Sequence, residues 1–391
     1  MNALLVSFFN PLEATSGSGL RSNSLLKNLA ALGHTIDLFA FSQSEDPGSH
    51  QAAYPNIARS CFVKRDPQSK LRAGLNSLHS LRPFGVSLYV TDAVIATFRQ
   101  FIDGRKYGAI IFDHIYTADL KKHINTSGAR IVINEHNTEY ALFHEYAVNA
   151  NTLREKITMY IDSFLLKRFE SHALRTADCA IHISEECIDR FSEDIRKRSV
   201  VIPNTLPYKL SYKAKTDRAK TVLFVGSMGH GANVEGLERF IKEAWVDIHA
   251  LRPDIRLLIV GADPPPQIRQ FSGSYNIHLL GYVENLTEVY EKATIAIAPL
   301  NIGSGGRLKI LEAMMYSTLN VTTPKGAEGL LVEHGKNIVI ASDKKAWIDS
   351  LLFYLDHAGE RAAIERNAHA LAERLYCYDH YTQAVGTCVG G

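Results

Sequence analysis

A glycine-rich bend in the last third of the chain has the residue types expected of a site for an anionic ligand. An apolar run ends at Pro299, small residues fill positions 303–306, and apolar residues then recur at helical spacing. Gly305 and Gly306 lie where this helix is expected to begin. The free backbone N–H groups and the positive dipole end at such a position suit an anion such as pyrophosphate.

Three charged residues follow this bend at spacings that strengthen the interpretation. Arg307 and Lys309 place two cations at the helix start, which is unfavourable for the dipole unless an anion binds there. Glu312 has the chemistry to accept hydrogen bonds from a pair of sugar hydroxyls. A packed helix with solvated charges is the simpler alternative, which a glycine-rich loop alone would favour. The combination instead predicts a site for a nucleotide-diphosphate sugar.

Composition restricts the class of protein. The chain has 391 residues, 46% of them hydrophobic and 21% charged, which is typical of a globular protein with two or three domains. A net charge of +2 and the lack of a polybasic tail give no support to nucleic-acid binding. The N-terminus enters an apolar strand directly, and no run approaches the roughly 18 residues that span a bilayer. Five scattered cysteines without metal-ligand spacing favour a reducing cytoplasm.

Short apolar runs alternate with helical stretches along the whole chain, as in βα units on parallel sheets. We expect an α/β protein with two doubly wound, Rossmann-like domains, at residues 1–205 and 206–375, and a polar, Lys-rich linker over 205–220. Residues 376–391 form a C-terminal segment that can cross back to the first domain. The ligand of such folds lies at the carboxyl ends of the strands, here in a cleft between the two domains.

The alternation predicts individual elements. In the first domain we expect a loop over 10–19, a helix over 20–32 and a long helix over 151–174, whose buried face is formed by Ile157, Ile161, Phe164, Leu165 and Phe169. Strands are expected at 3–9, 35–41, 60–63, 109–112, 131–134 and 179–183, and in the second domain at 221–225, 256–260, 277–280, 294–298 and 319–322.

Several short motifs follow one another over most of the chain. They are Gly17-Ser-Gly-Leu-Arg21, Leu32-Gly-His34, His136-Asn-Thr-Glu139, Lys167-Arg-Phe-Glu170 with Ala177-Asp178, Val201-Ile-Pro-Asn204, Phe224-Val-Gly-Ser227, Ile259-Val-Gly261, Gly281-Tyr-Val283, and the bend through Gly326-Ala-Glu-Gly329. No single motif is decisive, but their order and spacing together resemble those of GT-B-fold retaining glycosyltransferases of glycosyltransferase family four (glycosyl transferases group 1).

Two departures from the family pattern bear on the chemistry. Such enzymes usually carry two glutamates with seven residues between them; Glu312 matches the second, which contacts ribose, but Ser304 stands at the first. Many members also hold the diphosphate with an Arg and a Lys after the first strand of the nucleotide domain, whereas residues 226–233 contain neither. Charge neutralisation of the leaving diphosphate is therefore expected from Arg307 and Lys309. Ser304 either leaves the sugar to backbone amides or fills a tight loop.

The resemblance also implies roles for residues of the first domain. Gly17 and Gly19 would let the backbone approach the donor phosphate or the acceptor, with help from Arg21, although a surface turn explains this loop too. His136, just past an apolar strand, would contact the donor sugar or position the acceptor, oriented by Glu139. A structural histidine is the alternative.

In the second domain the donor site is expected to include Gly226 and Ser227 after the first strand, along with Ser304, Gly305 and Gly306 of the bend. Tyr282 and Val283 would bracket the nucleobase, with packing as the alternative. Glu328 either contacts the donor or stabilises a turn.

These interpretations together predict a metal-independent glycosyltransferase. It would move a sugar from a nucleotide-diphosphate-sugar donor to a glycan, lipid-linked or protein acceptor, in surface polysaccharide or glycoconjugate biosynthesis. No Asp-x-Asp motif occurs, so Arg307 and Lys309 are expected to take the place of a metal, with no cofactor beyond the donor. The resemblance adds His136 as the third expected catalytic residue. Two alternatives stay open: an inactive nucleotide-sugar-binding scaffold of the same fold, and a sugar-nucleotide epimerase.

A basic cluster suggests where the protein works. Lys70, Arg72 and Arg82 form either a solvated face or a peripheral contact with anionic lipid or a lipid-diphosphate acceptor. We expect a cytoplasmic protein, with peripheral contact at the inner face of the cell membrane as an option.

Overall fold

The computed structural model describes residues 1–13, 16–43, 48, 51–150, 152–214, 220–302 and 307–390. These residues form two compact units. Unit 1 comprises residues 1–207 and 378–390, and unit 2 comprises 208–302 and 307–377. Strands and helices are numbered along the chain below.

Within the described residues, unit 1 contains a parallel sheet of seven strands in the order β3-β2-β1-β4-β5-β6-β7. Leu5 of β1 lies opposite Leu38 of β2 on one side and Ile111 of β4 on the other. Successive strands are therefore added on one side of β1 up to β3 and on its other side from β4 onward. This is the switch point at which doubly wound folds bind ligands. The strands are β1 Asn2–Ser7, β2 Thr35–Ser42, β3 Ile57–Lys64, β4 Ala109–Asp113, β5 Arg130–Asn134, β6 Cys179–His182 and β7 Ser199–Val201.

Helices cover both faces of this sheet, because successive strand side chains alternate between the two layers of the core. Leu4 and Val6 pack in one layer, while Ala3 and Leu5 pack in the other. The helices are α1 Gly17–Ala31, α2 Lys70–Ser80, α3 Phe84–Tyr89, α4 Asp92–Ile102, α5 Glu139–Val148, α6 Leu153–Arg175, α7 Glu185–Asp189, α8 Glu193–Arg196 and, from the C-terminus, α17 Thr382–Val389.

The predicted buried face of the long helix was wrong in part. Ile157, Ile161 and Phe164 of α6 are exposed, whereas Leu165 is buried and Phe169 is partly buried. The face toward the core instead carries polar residues that hydrogen-bond neighbouring segments: Asp162 accepts from Phe84 N, and Ser163 donates to Tyr140 O. Helical periodicity identifies an apolar stripe but not which side of the helix packs. Glu170, on the same packed face of α6, accepts from the N–H groups of Glu139 and Tyr140.

The C-terminal helix α17 packs on unit 1. Arg130 Nε donates to the carbonyl of Cys388 at 2.5 Å, and the Cys388 sulfur is bonded to that of Cys179 at the start of β6. This pairing was not predicted, and it runs against the expectation that the scattered cysteines favour a reducing cytoplasm.

Within the described residues, unit 2 contains a parallel sheet of six strands in the order β10-β9-β8-β11-β12-β13. Leu223 of β8 lies opposite Leu258 of β9 and Ala296 of β11, so the switch point here falls between β8 and β11. The strands are β8 Thr221–Val225, β9 Arg256–Val260, β10 Ile277–Gly281, β11 Ile295–Ala298, β12 Leu319–Thr322 and β13 Val339–Ile340.

The helices of unit 2 again lie on both sides of the sheet. A π-helical turn, Ile241–Trp245, joins the first two helices into one run. They are α9 Gly231–Phe240, α10 Val246–Leu251, α11 Pro266–Arg269, α12 Leu286–Lys292, α13 Leu308–Met315, α14 Pro324–Ala327, α15 Lys344–Asp356 and α16 Ala358–Leu375. Among all described residues, none of the helices combines the length and the hydropathy needed to cross a membrane.

Candidate functional site

In unit 2, Lys309 reaches the carboxyl end of the central strand β8. Its Nζ lies 2.5 Å from Asn233 Oδ1 in α9 and 4.7 Å from the centre of the Phe224 ring. A Cβ added to Gly226 would stand 3.1 Å from this Nζ. The glycine therefore leaves the room that the lysine occupies. The segment after β8 lacks its own cation, and the structure brings one there from α13.

Burial destabilises the charge on this lysine. Desolvation, with the nearby Arg307 adding to it, lowers the pKa of Lys309 to about 7, while Glu312 opposes the shift. An anion that binds beside Lys309 and Arg307 would raise the pKa of Lys309 again and so favour its ammonium form. This arrangement is suited to phosphate oxygens.

Glu312 lies one turn after Lys309 on α13. Tyr208 Oη is 3.5 Å from its Oε1, at the limit of a hydrogen bond. Burial raises the pKa of Glu312 to about 7, and the contacts with Tyr208 and Lys309 offset part of the rise. A partly buried carboxylate with this little hydrogen bonding retains acceptor capacity for hydroxyl groups.

Arg307 is directed to a different neighbour than Lys309. It is the N-cap residue of α13, it is buried, and its guanidinium donates to the carbonyl of Lys325 at 2.6 Å. Glu328 lies 3.7 Å from the same guanidinium and 2.6 Å from Lys325 Nζ. Glu328 thus makes the turn-stabilising contacts that were the alternative to donor binding. Contact of Arg307 or Glu328 with a donor stays a prediction.

The remaining predicted residues of unit 2 fall into three groups. Ser227 follows β8, and its carbonyl accepts from Asn233 Nδ2 at 2.8 Å. Tyr282 is exposed after the edge strand β10, whereas Val283 packs against the core, so the two do not form matching walls. Ser304, Gly305 and Gly306 lie outside the described residues.

In unit 1, a buried carboxylate at the end of β4 collects four donors. Asp113 accepts from Ser7 and Ser22 at 2.5 Å each, from Asn134 Nδ2 at 2.6 Å and from His136 Nε2 at 2.7 Å. Burial alone would raise the pKa of Asp113, but His136 and the serine hydroxyls outweigh it and hold the pKa well below its usual range. Asp113 is therefore an ionised anchor at the switch point of this sheet.

This anchor orients His136. Because the carboxylate only accepts, Nε2 carries the shared hydrogen, and burial lowers the pKa of the imidazole, so the neutral ring presents Nδ1 as an acceptor. That Nδ1 is buried and has no hydrogen-bond partner among the described residues. Phe9 stacks on the ring at 5.6 Å. An oriented imidazole with a free acceptor nitrogen can receive a proton from a hydroxyl.

Glu139, expected to orient His136, does not do so. Its Oε1 lies 3.5 Å from His114 Nε2 and also accepts from Asn137. Glu139 begins α5, one turn beyond the strand end, and this helix start directs its side chain to His114 instead.

The glycine loop of unit 1 also differs from its prediction. Helix α1 begins at Gly17, not near residue 20, because the Ser16 side chain accepts from Gly19 N at 3.1 Å and caps it. Arg21 is buried, and it donates to Asn134 Oδ1 at 2.6 Å and to the carbonyl of Ile202 at 3.0 Å. These contacts pack α1 against the sheet; a role of Gly17, Gly19 or Arg21 toward a donor stays a prediction.

Neither Asp113 nor Asn233 was predicted from the sequence as a site residue. One signal was available for the first: Ser7, Asp113 and Asn134 are polar residues that each end a buried apolar strand, and β1, β4 and β5 are neighbours in the sheet. Asn233 gave no such signal, since its partner Lys309 is distant in sequence.

A family comparison covers the unit 2 site. Residues 219–357 match the family model described as glycosyl transferases group 1. The chain therefore carries a group 1 glycosyltransferase domain. This domain contains Gly226, Asn233, Lys309 and Glu312, and the prediction of a glycosyltransferase is confirmed at this level.

Whole-chain comparisons confirm the predicted GT-B class of α/β fold. The structure of WaaG, a glycosyltransferase involved in lipopolysaccharide biosynthesis, is 15% identical with a TM-score of 0.67 and covers 100% of both chains. Anabaena Alr3699/HepE, solved with UDP-glucose, is 13% identical with a TM-score of 0.62 and covers 100% of this chain and 99% of its own. A sequence relative from Klebsiella pneumoniae, described as an uncharacterized 44.6 kDa protein in the cps region, is 22% identical over 95% of this chain and 96% of its own.

Proposed function

We propose that this protein transfers a sugar from a nucleotide-diphosphate sugar to a glycan, lipid-linked or protein acceptor, as a retaining enzyme of glycosyltransferase family four. The observation that carries the proposal is the position of Lys309 beside Gly226, at the carboxyl end of the first strand of the group 1 domain. The structural relative solved with UDP-glucose supports a nucleotide sugar as donor.

The proposed chemistry depends on stabilising the leaving group. Cleavage of the sugar–phosphate bond develops negative charge on the diphosphate, and preorganised cations and backbone amides stabilise that charge. We assign this role to Lys309, with Arg307 as second cation, and no metal ion is part of the proposal. Glu312 would accept from ribose hydroxyls, and Gly226, Ser227 and the bend at 303–306 would line the donor.

His136 is proposed to act on the sugar side of the reaction. Its Nδ1 would accept a hydrogen bond from a sugar or acceptor hydroxyl, with Asp113 holding the ring. Retention at the donor carbon follows from the family resemblance, and NMR of the product's anomeric proton tests it.

The biological setting is proposed from the relatives. A role in surface polysaccharide or glycoconjugate biosynthesis is supported by the lipopolysaccharide glycosyltransferase of the same fold. We propose a cytoplasmic location with peripheral contact at the inner face of the cell membrane.

The test is a binding screen followed by a transfer assay. Thermal shift against UDP-, GDP-, ADP- and dTDP-sugars identifies the donor, and release of the nucleoside diphosphate with and without acceptor extracts measures turnover. We expect Glu312→Ala and Lys309→Met to lose donor binding and transfer while the melting temperature of the free protein stays close to that of the unmutated chain.

Three outcomes would contradict the proposal in different ways. Full turnover by both variants would remove the site from the reaction. Donor binding without turnover under any acceptor would favour the inactive scaffold. Nucleotide release that does not depend on an acceptor would favour the epimerase.

A further inference from the structure

Helix α2 of unit 1 carries a leucine stripe that faces solvent. Leu71, Leu75 and Leu78 recur one turn apart and are 76%, 61% and 64% exposed. The opposite face packs on the unit through Ala73 and Ser77, which are buried. The helix is therefore amphipathic with its apolar side outward, the reverse of a helix that closes a core.

Basic residues border this stripe. Lys70 lies on one flank of the leucines, and Arg72 and His79 lie on the other, and all three are exposed. The sequence from 67 to 91 contains no Asp or Glu. Arg82, which the sequence analysis grouped with Lys70 and Arg72, is instead bound to Asp119 at 2.6 Å. An apolar stripe between cations matches the interface of a bilayer that contains anionic lipid.

The first half of helix α6 repeats this pattern. Leu153, Ile157, Ile161 and Phe164 form an exposed stripe, with Phe164 70% exposed. Its flanks carry the exposed cations Arg154, Lys156 and Arg168, against a single exposed carboxylate, Glu155. The stripe includes Ile157, Ile161 and Phe164, which were predicted to be buried.

Helix α3 links these two helices in unit 1. It follows α2 directly, and its first N–H, that of Phe84, donates to Asp162 of α6 at 2.6 Å. The outward leucines of α2 and the outward stripe of α6 thus lie on helices that α3 connects. We name the exposed residues of these two stripes the lipid surface.

We propose that the lipid surface docks the protein on an anionic phospholipid bilayer. The inference deepens the peripheral contact proposed above and does not depend on the transfer reaction. Charge complementarity selects this occupant, because a second copy of the chain would bring Lys70, Arg72 and Arg154 against their own equivalents, which like charges oppose. A bilayer accepts the leucines in its interface and pairs the cations with lipid phosphates.

The experiment is co-sedimentation of the full chain with vesicles. We expect binding to vesicles of phosphatidylcholine mixed with phosphatidylglycerol, and little binding to phosphatidylcholine alone. Combined Leu71→Asn, Leu75→Asn and Leu78→Asn should abolish binding. Arg72→Gln should weaken it about fivefold, since one basic residue near an anionic surface contributes about 1 kcal/mol.

Matched controls separate lipid binding from general stickiness. Leu251→Asn removes a leucine that is 60% exposed in unit 2 and should bind vesicles like the unmutated chain. All variants should keep their melting temperatures, because the changed side chains are exposed. Any sugar transfer that the unmutated chain makes to a soluble acceptor should be unchanged in the leucine variant. Loss of vesicle binding and loss of enzyme function are therefore distinguishable.

Two results would overturn the proposal. One is equal sedimentation of the leucine variant and the unmutated chain with anionic vesicles. The other is no binding of the unmutated chain to these vesicles. A dimer in solution that the leucine substitutions dissociate would then assign the surface to a second copy.

Discussion

Replacing Gly226 with alanine tests whether Lys309 supplies the cation of the donor site. The added Cβ would lie 2.9 Å from Asn233 Nδ2, 3.0 Å from the Phe224 ring and 3.1 Å from Lys309 Nζ. Phe224 is fully buried, and Asn233 is held by the carbonyl of Ser227. The lysine is therefore the group most able to move, and its ammonium must shift away from the end of β8.

The size of the effect follows from the contact that is lost. A hydrogen bond between an ammonium and a phosphate contributes about 1.5–3 kcal/mol. Partial displacement of the ammonium should therefore weaken UDP binding about tenfold, which corresponds to about 1.4 kcal/mol. Isothermal titration calorimetry with UDP, and with GDP if the screen selects it, measures this. Gly231→Ala is the matched control, because a Cβ at this position meets no atom within 4 Å.

A double-mutant cycle shows whether the alanine acts through the lysine. In a Lys309→Met background, Gly226→Ala should cause little further loss of affinity, because the displaced ammonium is already absent. If Gly226→Ala weakens UDP equally in both backgrounds, the methyl group blocks the ligand directly and the reasoning about Lys309 fails. Unchanged affinity in Gly226→Ala itself would refute it outright.

Three further predictions follow from the same geometry. UDP affinity should fall as pH rises above 7, because Lys309 with a pKa of about 7 must take up a proton to bind the diphosphate; calorimetry in buffers of different ionisation enthalpy should detect this uptake, and Lys309→Met should abolish it. Asp113→Asn should cost about 3 kcal/mol in urea unfolding at pH 7 and impair transfer through His136. The depressed pKa of Asp113 stabilises the fold above the unfolded value of roughly 3.9, so the difference from the unmutated chain should shrink as pH falls below that value. Gly236→Ala should destabilise the protein by about 2 kcal/mol, because its Cβ would overlap the carbonyl of Pro299, whereas Gly359→Ala, with open space around it, should not.

Much of the fold could be predicted because strand identity depends on local patterns. The apolar runs at 221–225 and 256–260 coincide with β8 and β9, and seven of their ten residues are buried. The orientation of α6 could not be predicted in the same way. Its outward stripe of Leu153, Ile157 and Phe164 has the same period as a buried one, and only the tertiary contacts of Asp162 and Ser163 decide which side packs.

The site was predictable where one short segment holds the chemistry and not where the fold brings segments together. Lys309 and Glu312 share a helix, so their spacing could be interpreted from the sequence. The dependence of Lys309 on Gly226 and Asn233 arises only because β8 and β11 are neighbours at the switch point of the sheet. For the same reason His136 was assigned to Glu139, its neighbour in sequence, and not to Asp113, its neighbour across β4 and β5.

The two sites follow one arrangement despite their different chemistry. In each unit a charged group lies buried at the carboxyl end of a central strand. Asp113 stays ionised because four donors surround it, whereas burial, with Arg307 nearby, lowers the pKa of Lys309 to about 7. The first needs no ligand to satisfy it, and so it can serve as a fixed anchor for His136. The second is incompletely satisfied, so an incoming diphosphate gains the interaction that the free protein lacks. On this argument Lys309 should respond to ligand and pH, while Asp113 should respond to neither within the range in which the protein is folded.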